Sequence, residues 1–297
     1  MAKCLIVISL LLYFVNSEAQ ITVHDQRYQV ENMPQPISIS SHNHIPLNNE
    51  TITISGVEQS YKHTYHRISG NLIPIKNNEK IIIAWGFGYA TDQFQTSIPS
   101  IANGNEAIWT QLNTTGSIGQ NYFWRGGFAY GSYSNGIRLK KDNTYKGTTL
   151  VQLGKKWNPN LATSIGALML SNFGDTQILP VAQVSYSTGK FVFDFWLPIE
   201  VNIRYVKNKN FHILLQNTIG SRSYRYESDA FNYRINEISL RSEMRIVGVL
   251  WSDVAIVKPY GLKLENQSGK KYTEIGTNAS QSISVQIGLF IRFQEND

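Results

Sequence analysis

From Ile81 onward the chain alternates large apolar residues with small or polar ones, in runs of about ten to fourteen residues. Period two puts successive side chains on opposite faces of a strand, so each run has one apolar face and one small or polar face. Ile81, Ile83, Trp85, Phe87 and Tyr89 share a face opposite Ala84, Gly86, Gly88 and Ala90. Phe191, Phe193, Phe195 and Leu197 oppose Val192, Asp194 and Trp196, and Ile199, Val201, Ile203 and Tyr205 oppose Glu200, Asn202 and Arg204. The last run sets Ile283, Val285, Ile287, Leu289, Ile291 and Phe293 against Ser282, Ser284, Gln286, Gly288 and Arg292. Sandwich strands average about five or six residues, whereas a tilted strand needs about nine to eleven to cross a bilayer's hydrocarbon layer. The expected fold is therefore all-β, an antiparallel up-and-down transmembrane β-barrel of about 12–14 strands.

Turn spacing supports the same architecture. Short connections are expected at 76–79, 119–121, 157–160, 188–189, 207–210 and 248–252, and longer or more polar ones at 92–106, 134–146, 172–177, 224–233 and 266–280. The two sets interleave once a reversal is placed near Pro198, since proline donates nothing to a ladder and favours turns and strand starts. Fourteen strands result if a weak first one near Thr51 to Val57 is included. Twelve result if that segment does not span and 190–206 is one long strand. Either even count leaves both termini on the periplasmic side. Trp109, Trp157, Tyr186, Tyr205 and Phe293 stand near strand ends, where interfacial girdles are expected.

Residues 1–19 read as a cleaved export signal: Lys3 is the positive head, Leu5 to Val15 the apolar run, and Ser17-Glu18-Ala19 the small-x-small site. The apolar run is about half the roughly 20 residues of a spanning helix. Residues 20–49, with Pro34, Pro36 and Pro46, lack alternation and are expected to form a polar N-terminal extension, leaving 50–297 as the barrel. Cys4, the single cysteine, lies in the leader, so a mature chain has no disulfide, thiolate metal site or cysteine nucleophile. The net charge of +6 is spread along the chain without a dense basic block, which gives a nucleic-acid partner no footing. No later stretch approaches the roughly 18 consecutive apolar residues of a membrane helix.

The residues that draw attention for function are charged. Glu237, Arg241, Glu243 and Arg245 share one face of a strand, and Asp194, Glu200 and Arg204 share the same orientation two to three strands earlier. In a barrel these seven are candidate lumen-lining residues. Their mixed signs favour an interior ion-pair network, with selectivity of an aqueous path as the alternative. Ser132-Tyr133-Ser134-Asn135-Gly136 resembles the His-x-Ser-Asn element of outer-membrane phospholipases and lipid A deacylases, but Ser132 stands where their histidine base would be. His63, His66 or His212 could serve Ser134 only from another strand, and the Asn-Gly pair instead marks the opening of an outer loop. His42-x-His44 lacks a nearby acidic or cysteine partner, and His63 and His66 point to opposite faces. No catalytic, metal or cofactor site is expected.

The layout also resembles a family of uncharacterised outer-membrane β-barrel proteins of Bacteroidetes, a domain of unknown function. The resemblance covers roughly residues 50–293. It rests on Ala19-Gln20, the hairpin region from Pro180 to Tyr186, Phe195-Trp196-Leu197-Pro198, Arg204-Tyr205 and Ser223-Tyr224-Arg225-Tyr226. The closing strand is similar to the outer-membrane assembly signal in ending on an aromatic, Phe293, although Gln294 to Asp297 follow it. The resemblance implies no established activity. The expected protein is a monomer delivered by the barrel-assembly machinery to the outer-membrane lipid bilayer, for passage of a small solute or for a structural or surface role. An outer-membrane lipid hydrolase and a soluble secreted β-sandwich that binds carbohydrate or protein are the competing classes.

Overall fold

The long alternating runs form strands because their β-branched and aromatic residues fit a pleated surface and their backbones find partners on both sides. A computed structural model describes residues 38–47, 50–54, 57–77, 81–96, 104–134, 145–172, 175–226, 229–268, 271–279 and 283–291. The strands in chain order are β1 (Ser38–Pro46), β2 (Glu50–Ile54), β3 (Val57–Asn77), β4 (Ile81–Thr96), β5 (Gly104–Ile118), β6 (Tyr122–Ser134), β7 (Tyr145–Asn158) and β8 (Leu161–Asn172). They continue as β9 (Asp175–Thr188), β10 (Phe191–Leu197), β11 (Glu200–Asn208), β12 (Phe211–Tyr226), β13 (Asp229–Val247), β14 (Leu250–Ser268), β15 (Lys271–Ala279) and β16 (Ser284–Ile291).

Consecutive strands pair antiparallel from β2 through β15, and the sheet closes on itself. β1 and β2 lie end to end against β3, and β15 and β16 lie end to end against β14. The two interrupted strands then pair with each other, from Ser40↔Phe290 to Pro46↔Ser284 and again at Thr53↔Thr277. The result is an antiparallel barrel of fourteen staves. Closure removes the unpaired edges that would otherwise cost several kcal/mol per exposed backbone group in lipid.

Short connections gather at one end. Gly119, Gly189 and Gly248 take positive φ in three of them, a conformation that glycine adopts without steric cost. The turns at 159–160 and 209–210 instead use asparagine: the Asn160 and Asn210 amides donate to the side-chain oxygens of Asn158 and Asn208 at 2.8 and 2.9 Å. Both ends of the described barrel, Ser38 and Ile291, lie at this end. The reversal at Pro198 is present, with a cis Leu197–Pro198 bond between β10 and β11.

Three expectations need correction. Ser38–Pro46 is a barrel strand rather than part of an extension, because a closing stave is specified by the two ladders it completes and not by its own pattern. The longer or more polar connections expected at 172–177, 224–233 and 266–280 are narrower than that, because Asn172↔Asp175, Tyr226↔Asp229 and Ser268↔Lys271 still belong to ladders. Trp109 faces the interior with 5% of its surface exposed, instead of joining a girdle. Its parity matches Asn105, Gln111 and Asn113, all buried, which is the signal that marks it as inward. The leader, residues 20–37 and Phe293 lie outside the described residues.

The faces are inverted relative to a water-soluble sandwich. Ile165 and Ile178 are 71% and 68% exposed on the outer surface, and Val151 and Leu153 on β7 and Leu240 and Ile256 on β13 and β14 are exposed as well. Tyr122, Trp157, Tyr186 and Phe191 ring the short-turn end, with the Lys155 ammonium 4.1 Å from the Trp157 ring centre. Toward the other end, Tyr130 and Tyr145 stack at 5.3 Å on the outside. An apolar band with aromatic rims is the surface a lipid bilayer requires.

Candidate functional site

Inside the barrel the same alternation gathers polar side chains. Near the short-turn end, Glu243 on β13 is fully buried, with the Arg204 guanidinium of β11 at 3.9 Å and His212 Nδ1 of β12 at 3.5 Å. Arg241 pairs with Asp253 of β14 and donates to Gln286 of β16 at 2.9 Å. Trp251, also fully buried, packs against His212 at 5.1 Å and Phe290 at 6.1 Å. Alternation on five neighbouring strands thus assembles a charged network that no single strand contains.

A second group lies on β6 and β9 to β12. Arg125 Nη1 donates to Gln183 Oε1 at 2.5 Å, and Gln183 Nε2 and Ser185 Oγ donate to Asp194 Oδ1 at 2.8 and 2.7 Å. Glu200 accepts from Gln216 at 2.8 Å and from Asn202. Of the candidate lumen residues, Glu200, Arg204, Arg241 and Glu243 are buried, while Asp194, Glu237 and Arg245 are half-buried. Arg245 sits lowest, where its Nε donates to the Gly248 carbonyl of the turn. The network joins both signs, so each charge offsets a neighbour's desolvation.

A third group crosses the interior at the far end and was not anticipated. His63 Nε2 on β3 is 2.7 Å from Asp92 Oδ1 on β4, and Tyr224 on β12 donates its hydroxyl to the other oxygen of Asp92. Tyr224 packs on Tyr133 at 6.3 Å, Tyr133 on Trp109 at 6.4 Å, and the Arg67 guanidinium lies 5.3 Å from the Trp109 ring centre. β12 and β6 meet here in a parallel contact at Arg225↔Ser134 although five strands separate them in the sheet. The interior is narrowed by this aromatic bridge. Sequence parity places His63, Asp92 and Tyr224 on inward faces, but nothing local says that they meet.

Ser134 ends β6, and Asn135-Gly136 lie outside the described residues. Register places His66, Thr91, Glu106 and Ser134 in one row across β3 to β6. His66 is therefore three strand spacings from Ser134, about 14 Å between backbones, beyond the reach a general base needs. His66 Nδ1 instead contacts Asn43 Oδ1 at 2.5 Å. Among the described residues no group of three or more histidine, cysteine, aspartate and glutamate side chains is arranged to hold a metal ion.

Residues 110–251 match the family described as a domain of unknown function, DUF6268. No curated protein matches the chain. Among solved structures, the chain is similar to an outer membrane channel from Pseudomonas putida F1, at 9% identity and a TM-score of 0.49, over 92% of this chain and 99% of that one. It is also similar to the toluene transporter TodX of P. putida, at 8% identity and a TM-score of 0.41, over 89% of this chain and 92% of that one. The KdgM porin aligns at 9% identity and a TM-score of 0.38, over 86% of this chain and 99% of the porin.

Proposed function

We propose that the chain is exported, loses residues 1–19, and is inserted by the barrel-assembly machinery as a monomer into the outer membrane, where it passes a small solute through a lumen that closes at rest. The observation that carries this reading is the inversion of faces: an exposed apolar band outside, and buried Arg204, Arg241, Glu243 and Asp253 inside. Charged side chains are rarely buried in numbers unless they line or fill a polar interior. The short-turn end then faces the periplasm, and the seven candidate residues act as the lining of the path, with Arg245 at its periplasmic mouth. The bridge from Tyr224 to Asp92 supports a resting constriction at the outer end. The reading is non-enzymatic, resting on Ser132 standing where a histidine base would precede Ser134.

Refolding residues 20–297 in detergent, checking for a heat-dependent gel shift with β-type circular dichroism, and then recording conductance in a planar bilayer tests this function. Rare, discrete openings in a heat-modifiable preparation are expected. A heat-modifiable barrel that stays silent at every voltage and in the constriction variants described below overturns the channel reading.

A further inference from the structure

The short-turn end of the barrel carries charge of one sign. Its described turns join β5 to β6, β7 to β8, β9 to β10, β11 to β12 and β13 to β14. In and beside them stand Lys155, Lys156, Lys190, Lys207, Lys209 and Arg245. Among the described residues these turns hold no carboxylate. The nearest ones, Asp194, Glu243 and Asp253, belong to the interior networks, where Ser185, His212 and Arg241 are their partners. The far end mixes signs on its outer face, with Lys62 on β3 and Glu106 on β5, where Tyr89 donates to Glu106 at 3.3 Å.

The backbone crowds these cations together. The Val206 amide donates to the Lys190 carbonyl at 2.7 Å and Phe191 pairs with Tyr205, so Lys190 and Lys207 stand at nearly one level on neighbouring strands. Lys155 and Lys156 are consecutive, and the Asn121 carbonyl accepts from the Lys156 amide at 2.7 Å. Like charges fixed this close destabilise one another, and an anion between them removes the penalty.

Aromatic rings set where two of the ammonium groups lie. Lys155 is in register with Tyr122, and its Nζ is 5.5 Å from that ring centre and 4.1 Å from the centre of Trp157. Lys207 Nζ is 5.7 Å from the Phe211 ring centre. Tyr122 and Trp157 are exposed on the outer surface, and Phe211 shares that face because His212 beside it is buried. The lysine stems thus run along the outer wall, and their charges stand at the edge of the apolar band rather than over the mouth of the lumen.

We propose that the rim from Lys155 to Lys207 binds the headgroups of anionic phospholipids, with one phosphate against Lys155 and another between Lys190 and Lys207. Position and charge select this occupant. The outer wall at the level of the aromatic rim is where headgroups abut a membrane barrel, and clustered lysines beside a bilayer attract anionic lipid. A zwitterionic headgroup brings its own ammonium to a surface that is already positive. An acidic protein approaching through water meets the turns before it meets the wall. The inference rests on the membrane-barrel reading, in which this rim stands at the periplasmic leaflet.

The test uses two reporters on β8 in the otherwise thiol-free mature chain: Leu161→Cys at the short-turn end, in register with Tyr186, and Met169→Cys, exposed on the outer surface toward the far end. Each is labelled with bimane and reconstituted in phosphatidylcholine vesicles that contain a minor fraction of brominated phosphatidylglycerol or, separately, the same fraction of brominated phosphatidylcholine. Quenching at Leu161→Cys several-fold stronger with the phosphatidylglycerol, and equal with either lipid at Met169→Cys, is the expected result. The triple change Lys155→Gln, Lys190→Gln and Lys207→Gln abolishes the preference, the corresponding arginine variant keeps it, and high salt weakens it. Equal quenching by both lipids at Leu161→Cys, in a preparation that shows the heat shift and strong quenching at Met169→Cys, overturns the headgroup site and leaves the barrel standing. Retention of that same preparation on an immobilised acidic polypeptide, lost in the glutamine variant, would assign the rim to an acidic macromolecule instead. Absence of both the heat shift and the Met169→Cys quenching overturns the barrel reading itself.

Discussion

Tyr224 and Asp92, 132 positions apart in the chain, meet inside the barrel through a hydroxyl donated to a carboxylate. Neither belongs to a strand adjacent to the other's, so this bond ties opposite walls. Tyr224→Phe keeps the ring on Tyr133 and removes the tie, at a cost of about 1.5–3 kcal/mol for a hydrogen bond to a charged group. More frequent or longer openings in planar bilayers are expected. Conductance unchanged from the parent would show that the bridge is not the constriction.

Arg241 and Asp253 are both buried, and removal of either partner strands the other's charge. Arg241→Met is expected to destabilise the barrel by about 3–5 kcal/mol, whereas Arg241→Met with Asp253→Leu recovers most of the loss. Urea unfolding from lipid vesicles measures both. A double variant no more stable than the single one contradicts the pairing.

Gly88 lies under the indole of Trp109, and a Cβ there would overlap the ring. Gly88→Ala is expected to cost about 1–3 kcal/mol by overpacking. Trp109→Leu in the same chain should relieve the strain, so the two changes are predicted to be strongly non-additive in unfolding experiments. Simple additivity would place Trp109 elsewhere.

Facing is testable with one pair of neighbours. Ile165 is exposed to the outside and Ser164 is buried on the inner face of the same strand. Ile165→Arg is expected to cost up to about 2–4 kcal/mol in lipid, depending on depth. In detergent-free buffer a soluble sandwich would instead gain solubility from the same change. Equal vesicle stability of parent and variant argues against a bilayer-facing surface.

Much of this molecule was legible strand by strand. The outward placement of Trp85 and Phe87, the inward placement of Glu200, Arg204, Arg241 and Glu243, and the reversal at Pro198 all follow from period two and turn chemistry, which are local properties. Trp109 was legible in the same way, because its parity neighbours are Gln111 and Asn113, but proximity to a strand end suggested a girdle instead.

What sequence alone determined, then, was the pair of faces each strand presents, and with them a barrel that is apolar outside and charged within. Tertiary structure alone decided which inward residues meet, as His63, Asp92 and Tyr224 do, and that Ser38–Pro46 closes the wall against β16. The division has one physical cause: the face of a side chain is set by its own backbone, whereas depth, closure and cross-lumen contact depend on strand tilt and stagger summed around the whole sheet.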